Sequence, residues 1–376
     1  MAQEELMQER VKDEFDYIFE HIKDGDHFLL SGGAGSGKTY TLVQTIRTVI
    51  EEYPSSTIAC VTYTNAAVRE IVERVNHSNL RVSTIHDFLW DNIKHFQKEL
   101  KETLLELVND DENPKFKIPE ELAVPVDFYD ELEKGIQYKE FVRLKDGIIS
   151  HDELIILAGH MFQKYKKLCD ICIDRFPFIF VDEYQDSQKE VIEILLVHLR
   201  QSNRNNIVGF FGDAMQSIYD NGIGGLDEYL GNEDRLVREV KKEQNRRNPQ
   251  LVIDLANKLR TDGLTQRPSD DLTAPNMTEG VIKEGTIKFL YSSDPYVESA
   301  RTYLEWDFSD SKKTKELNLT HNLIADKAGF STLIEIYDKD QILAYKNRLK
   351  KHIKVNDIQD VTLKDKTFGE VVAFLK

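Results

Sequence analysis

The sequence predicts an α/β fold: a parallel sheet covered by helices, a helical insertion, and a partial second sheet domain behind it. Three observations carry that prediction. Five short apolar runs, "HFLLSG", "TIACVTYT", "RVSTIH", "FPFIFVDE" and "NIVGFFGD", are rich in β-branched and aromatic residues, and each is followed by helix-like sequence. Strands that alternate with helices pair in parallel and are buried on both faces. Between His86 and Phe178 the alternation stops and helical patterning takes over, and after about residue 240 an α/β rhythm resumes.

Taken in order, residues 3 to 24 place Leu6, Phe15, Ile18, Phe19 and Ile22 at helical spacing. The run from His27 then breaks into "SGGAGSGKTYTL", a strand, a glycine-rich loop and the start of a helix. In the insertion, "DFLWDNIKHFQKELKETLLELVND" reads as helix, "DENPKFKIPEELAVPVDFYDE" as irregular, and "HDELIILAGHMFQKYKKLCDI" as helix again. Beyond residue 240 come the helix "NPQLVIDLANKL", the polar linker "TDGLTQRPSDDLTAPNMTEG" and the strand "TIKFLYSS". A helix through "YVESARTYLEW", the strand "LNLTH" and the helix "NLIADKAGFSTLIEIY" follow. The expected division is a first sheet domain at 1–87 and 176–238, a helical subdomain at 88–175, and a partial second sheet domain with the start of a further helical segment at 239–376. The last residues, "DKTFGEVVAFLK", read as a helix just under way, so the chain is expected to be the N-terminal part of a longer protein.

The composition narrows the class. With 376 residues, 40% hydrophobic and 31% charged, the chain can bury more than one core. No run of about 18 apolar residues offers a membrane span, and the polar, acidic start is unlike a secretory signal. Three cysteines suit a reducing compartment, and a cytoplasmic setting is expected. Cys169 and Cys172 form a single CxxC on helical sequence, which reads as buried structure rather than a zinc site. The net charge of −17 requires any nucleic acid to be met by a local basic or aromatic surface.

The spacing Gly32-x4-Gly37-Lys38-Thr39 matches a phosphate loop. Glycines let successive backbone N–H groups converge on phosphate oxygens, and the helix that follows presents its positive end to them. Gly32, Gly33, Ala34, Gly35, Ser36 and Gly37 form the cradle, Lys38 reaches the β- and γ-phosphates, and the Thr39 hydroxyl takes Mg²⁺. All five apolar runs lead into polar residues at their carboxyl ends: Lys38, Thr62, His86, Asp182 and Asp213. Ligands of parallel sheets gather there. In "FIFVDEYQDSQ", Asp182 suits the metal shell and Glu183 suits deprotonation of an attacking water. In "FFGDAMQSIY", Gln216 can donate and accept at a γ-phosphate. "EQNRRNPQ" offers Arg246 and Arg247 at the entrance of the second unit, as an arginine finger would be.

Together these strings resemble the UvrD/Rep-like superfamily 1 DNA helicases. "GGAGSGKT" is similar to helicase motif I, "VTYTNAAVREIVERV" to Ia and "VSTIHDFL" to Ib. "VDEYQDSQ" resembles motif II, "FFGDAMQSIY" motif III and "EQNRRNPQ" motif IV. The resemblance implies a RecA-like P-loop NTPase fold, ATP and Mg²⁺ as cofactors, and Lys38, Thr39, Asp182 and Glu183 in those roles. It gives Gln216 and Arg247 contact with the γ-phosphate. It also implies single-stranded DNA as partner, with Thr62, Tyr63, Asn65 and His86 along the strand and Tyr219 between nucleotide and strand. Those rings read equally well as core aromatics. The sequence departs from the pattern in three places. Asn221 stands where the family's DNA-stacking tryptophan would be, and Asn245-Arg246-Arg247 replaces Asn-Tyr-Arg, leaving Tyr40 or Arg246 to cover the base. The later motifs Thr-x-His-x-x-Lys-Gly-Leu-Glu and Leu-Thr-Arg-Ala are not found. The implied activity is an ATP-driven motor on single-stranded DNA when complete. The alternative is an ATP-dependent switch that docks a protein partner such as a nuclease without unwinding.

Overall fold

The computed structural model describes residues 12–111, 113–118, 124–218, 222–231, 237–291, 293, 297–310, 312–317 and 324–339. They fall into two compact units that divide between Ile287 and Lys288.

In the first unit, α1 (Glu14–Asp24) opens on a capping box between Asp13 and Asp16 and closes at Gly25, whose left-handed φ of 81° ends the helix. β1 (His27–Gly32) runs into the glycine-rich loop and α2 (Lys38–Glu52). β2 (Ile58–Thr62) leads to α3 (Asn65–Val75), capped by the Thr64 hydroxyl, and β3 (Leu80–Thr84) leads to α4 (Ile85–Ile93), capped by Thr84. The insertion then contributes α5 (Gln97–Asn109), the short parallel pair β4 (Gln137–Tyr138) and β5 (Ile148–Ile149), α6 (His151–Lys164) and α7 (Lys166–Arg175). The single helix expected across 151–171 is therefore two, broken at Tyr165. β6 (Phe178–Asp182) is followed by α8 (Lys189–Glu193), which widens into one π-turn at Ile194–His198 before β7 (Ile207–Gly212). β8 (Val237–Lys242) completes the sheet.

The six strands lie in the order β3-β2-β6-β7-β1-β8, and every pairing is parallel. Side chains alternate across the sheet: Phe28 and Leu30 of β1 enter a core with Ile18, Leu42 and Ile46, whereas Leu29 enters the opposite core shared with the insertion helices. The five expected strands all form, and both faces are covered. β7 admits Gly209 opposite Phe28 because a Cβ there would come 2.3 Å from the Phe28 ring.

After β8 the first unit continues through β9 (Gln244–Asn245), α9 (Gln250–Leu259), β10 (Arg267–Pro268), β11 (Met277–Thr278) and β12 (Val281–Ile282). The sheet thus runs across the expected boundary at 238/239, and the segment to Ile287 packs within the same unit. In the second unit, α10 (Val297–Leu304), α11 (Ala325–Ala328) and α12 (Ser331–Lys339) form, the last two separated at Gly329, with φ of 77°. The strand expected in "TIKFLYSS" does not form: residues 286–291 are irregular, with Phe289 and Tyr291 nearly fully exposed. Its pattern fits a strand, but among the described residues no strand pairs with it, and a strand is not stable alone. Of the expected strand "LNLTH", residues 318–321 lie outside the described residues, as does the terminal stretch "DKTFGEVVAFLK".

Candidate nucleotide site

The site lies at the carboxyl ends of β6, β7 and β1, which are consecutive in the sheet. Leaving β1, the loop from Gly32 reaches α2 through Gly35 and Gly37, both at φ of 87°. That left-handed backbone suits glycine and turns N–H groups toward one point. α2 has no side-chain cap, so its first N–H groups remain open to an anion.

Lys38 is buried, and its Nζ donates to the Gly32 carbonyl at 2.8 Å. Burial lowers its pKa, opposed by the negative charges of Glu183, Asp213 and Asp182. Asp182, at the end of β6, is buried with no hydrogen-bond partner for Oδ1. Burial first and the neighbouring Glu183 second push its pKa to about 7, against the pull of Lys38. Glu183 adopts a left-handed conformation, φ 50° and ψ 47°, which a residue with a side chain enters at a cost. That turn carries its carboxylate to Gln185, whose Nε2 donates to Glu183 Oε2 at 3.0 Å. Gln185 Oε1 in turn accepts from the Asp213 backbone N–H at 3.1 Å, tying the ends of β6 and β7 together. Gly212 leaves room for this bridge, since a Cβ there would lie 2.3 Å from Gln185 Oε1.

Asp213 receives Nε2 of Gln216 at 2.6 Å and a two-pronged bond from Arg260, at 2.7 and 3.0 Å. Burial would raise this carboxyl; the hydrogen bonds from Arg260 and Gln216 outweigh it and hold the group below its ordinary range. Arg260 stands just past α9, is itself nearly buried, and also meets Asp262.

The "NRRN" string lies directly on the loop. Asn245 is fully buried, and its Nδ2 donates to the Ala34 carbonyl at 2.8 Å while its Oδ1 accepts the N–H groups of Arg247 and Asn248. The Arg246 N–H donates to the Gly35 carbonyl at 2.9 Å. Both arginines therefore reach the loop from within its own compact unit. The Arg246 guanidinium pairs with Asp271. A cleft of ≈ 740 Å³ opens beside the loop, lined among others by Phe15, Tyr40, Gln44, Arg246, Arg247 and Pro275. Tyr40 is exposed on α2, its hydroxyl accepting from Gln44 Nε2 at 3.2 Å.

These residues fit a magnesium–triphosphate. The unpartnered Asp182 oxygen offers one metal position, Thr39 in the first turn of α2 carries a hydroxyl suited to a second, and Lys38 supplies a buried cation. Among the described residues no group of three acidic, histidine or cysteine side chains holds a metal unaided. Mg²⁺ in phosphate-loop sites takes one or two protein ligands and fills its shell with phosphate oxygens and water.

On the neighbouring strands, Tyr63 is partly exposed just past β2 and Asn65 begins α3 exposed. Thr62 is 1% exposed and presents no side-chain surface. His86, on α4, is half-buried against His151, ring centroids 4.6 Å apart, and burial followed by that neighbour lowers its pKa. Tyr219 lies outside the described residues. Cys169 and Cys172 are buried free thiols inside the insertion core.

Sequence reasoning missed Gln185, Arg260, Gln266 and the anchoring role of Asn245. Gln185 stood in the "DEYQD" string, but Arg260 and Gln266 sit in or beside a polar linker with no periodicity to mark them.

Residues 18–221 match the AAA domain family model (AAA_19), just over half of the chain. The chain belongs to that family. Over 91% of its length it is 27% identical to Gabija protein GajB of Bacillus cereus strain HuB5-5, covering 62% of that protein. Over 61% it is 28% identical to the ATP-dependent DNA helicase Rep of Salmonella typhimurium, covering 40% of it. Over 65% it is 26% identical to the ATP-dependent DNA helicase PcrA of Staphylococcus epidermidis, covering 39%. The crystal structure of Pif1 helicase from Candida albicans aligns with a TM-score of 0.33 and 14% identity over 70% of this chain and 46% of that one. Family and relatives make this AAA-domain chain a UvrD-like, superfamily 1 helicase-like protein with a RecA-like P-loop fold. It spans about 40% to 60% of the length of these curated relatives. No described helix is long and apolar enough to cross a membrane.

Proposed function

We propose that this chain binds MgATP and hydrolyses it, and that the whole protein uses the cycle to move along single-stranded DNA. The observation that carries this reading is the buried Asp182 carboxylate at the end of β6, one oxygen unpartnered, within electrostatic reach of the buried Lys38 amine that follows β1 on α2. Burying a carboxylate with an oxygen unpartnered costs stability, and such groups gather where a ligand is bound.

In this reading the N–H groups of Gly33 to Thr39 cradle the phosphates, and Lys38 exchanges the Gly32 carbonyl for a phosphate oxygen. Asp182 and Thr39 would hold the magnesium, which when bound offsets negative charge on the β- and γ-phosphates. Glu183, held in place by Gln185, accepts a proton from the water that attacks the γ-phosphorus, while the bond from that phosphorus to the β–γ bridging oxygen breaks and ADP leaves with the oxygen. Gln216, now on Asp213, and Arg247, beside Gly35, meet the γ-phosphate. Tyr40 and Arg246 flank the base in the cleft. Tyr63, Asn65 and His86 offer the face for unpaired bases, and Tyr219 retains the role assigned from its motif. The functional division remains 1–87 with 176–238 as the first motor domain, 88–175 as its insertion, and 239–376 as the beginning of the second.

A second reading, an ATP-dependent switch that docks a protein partner such as a nuclease, draws on two facts. Asn221 takes the place of the family's stacking tryptophan, and the relative sharing 91% of this chain carries the Gabija name rather than that of a helicase. Stimulation of ATP turnover by single-stranded DNA separates the two: a motor shows it and a switch does not. For the nucleotide itself, Lys38→Ala is expected to abolish MgATP binding, whereas Glu183→Gln retains binding and loses hydrolysis. Equal loss of affinity in both variants would refute the division of roles.

A further inference from the structure

Gln266 is a buried side chain that the roles above leave unused. It follows α9 on the linker to β10, is 4% exposed, and its Nε2 has no hydrogen-bond partner. A primary amide left with a buried, unanswered donor is uncommon, because the lost hydration is not returned.

The rest of the residue is firmly held. Asn257, on α9, receives the Gln266 backbone N–H at 2.8 Å and donates to its carbonyl at 2.7 Å. Gln266 Oε1 accepts from Asn245 Nδ2 at 3.2 Å, and that same nitrogen anchors the Ala34 carbonyl. With Oε1 committed to Asn245, the orientation of the amide is fixed and Nε2 must point the other way. The amide as a whole lies against the phosphate loop: a Cβ placed on Gly33 would lie 2.4 Å from Cδ and 2.6 Å from both Nε2 and Oε1. The amide therefore rests against Gly33, next to the residue whose carbonyl holds Lys38 Nζ. Only glycine at 33 admits it.

We propose that Gln266 Nε2 donates to an oxygen of the terminal phosphate of a bound nucleoside triphosphate. The inference rests on the nucleotide reading of this cleft and extends it to a residue outside its motifs. The linker after α9 thereby senses whether the third phosphate is present. Through the relay Asn257–Gln266–Asn245, the same contact reaches the backbone of Arg247 and Asn248. A nucleoside diphosphate would leave Nε2 unanswered.

The test is calorimetric titration of the 376-residue chain with Mg²⁺ and either the β,γ-imido analogue of ATP or ADP. Gln266→Met keeps the length and apolar packing but removes the donor; Gln266→Glu keeps the shape and sets a carboxylate against the phosphate. Both are expected to lower the affinity for the triphosphate analogue about tenfold or more, the worth of one charge-assisted hydrogen bond, with ADP changed less than about twofold. Equal losses for the two nucleotides would assign Gln266 a purely structural role, and unchanged affinity for both would remove it from the site; either overturns the inference while leaving the nucleotide reading intact. A parent chain that binds neither nucleotide overturns both.

Discussion

Replacing Arg260 with methionine tests whether the buried pair with Asp213 holds the ends of β7 and α9 together. The side chain of Asp213 is 1% exposed and that of Arg260 is 8% exposed, so neither group is compensated by water. Two charge-assisted bonds, at 2.7 and 3.0 Å, are lost together. Each such bond contributes about 1.5–3 kcal/mol, for a sum of about 3–6 kcal/mol, and breaking a buried pair from one side independently costs about 3–5 kcal/mol. The bond to the more exposed Asp262 adds little. We therefore expect Arg260→Met to destabilise the protein by about 4 kcal/mol, moving a urea midpoint by about 1.3 M at a slope near 3 kcal/mol/M. The loss depends on pH. In the parent, Asp213 titrates below its unfolded value, so the pair's contribution is complete above the unfolded pKa and disappears as pH falls through the lower folded value. The difference between parent and variant should accordingly be full at pH 7 and shrink under acid. Asp213→Asn/Arg260→Met, which leaves no unpaired charge, should recover part of the loss. A midpoint unchanged in Arg260→Met, or a double variant no better than the single one, would show that the pair does not hold these elements.

Asp182→Asn removes a carboxylate whose folded pKa of about 7 lies above its unfolded value, so ionisation opposes folding once the pH exceeds that unfolded value. The variant should resist urea better than the parent at pH 8, by at most about 4 kcal/mol for a three-unit shift, with the gain fading as the pH nears 4; a gain independent of pH would refute the cause. Tyr63→Ala should weaken binding of single-stranded DNA by about 1–3 kcal/mol at fixed salt with nucleotide affinity unchanged, and unaltered DNA affinity would return Tyr63 to a structural role. Gly209→Ala should cost about 1–3 kcal/mol or more in denaturant unfolding, since the new methyl meets the Phe28 and Phe180 rings in mid-sheet, and a neutral result would contradict that packing.

What could be read in the sequence was what periodicity and glycine spacing report. Both are local, and they place the five strands, the loop from Gly32 to Thr39, and Asp182 and Glu183 at a strand end. The residues that complete the site arrive from far along the chain. Arg260 meets Asp213 and Gln266 meets Gly33 across long separations, from a stretch whose polar composition reads only as linker. Tertiary packing alone brings them in. The reverse failure is "TIKFLYSS", where local pattern was clear but the described chain provides no partner strand. Tyr165 breaks α6 from α7 although no glycine or proline announces it.

The left-handed turn at Glu183 bears on how this protein could be improved by laboratory evolution. Glycine or asparagine would relax that backbone by about 1 kcal/mol or more, so a library screened only for thermal tolerance would enrich them at this position. On the proposed role of Glu183, the winners would be sturdier and slower to hydrolyse ATP, having lost the carboxylate that Gln185 holds. Any campaign to stabilise the chain must therefore screen for turnover in the same round, or fix residue 183 before it begins.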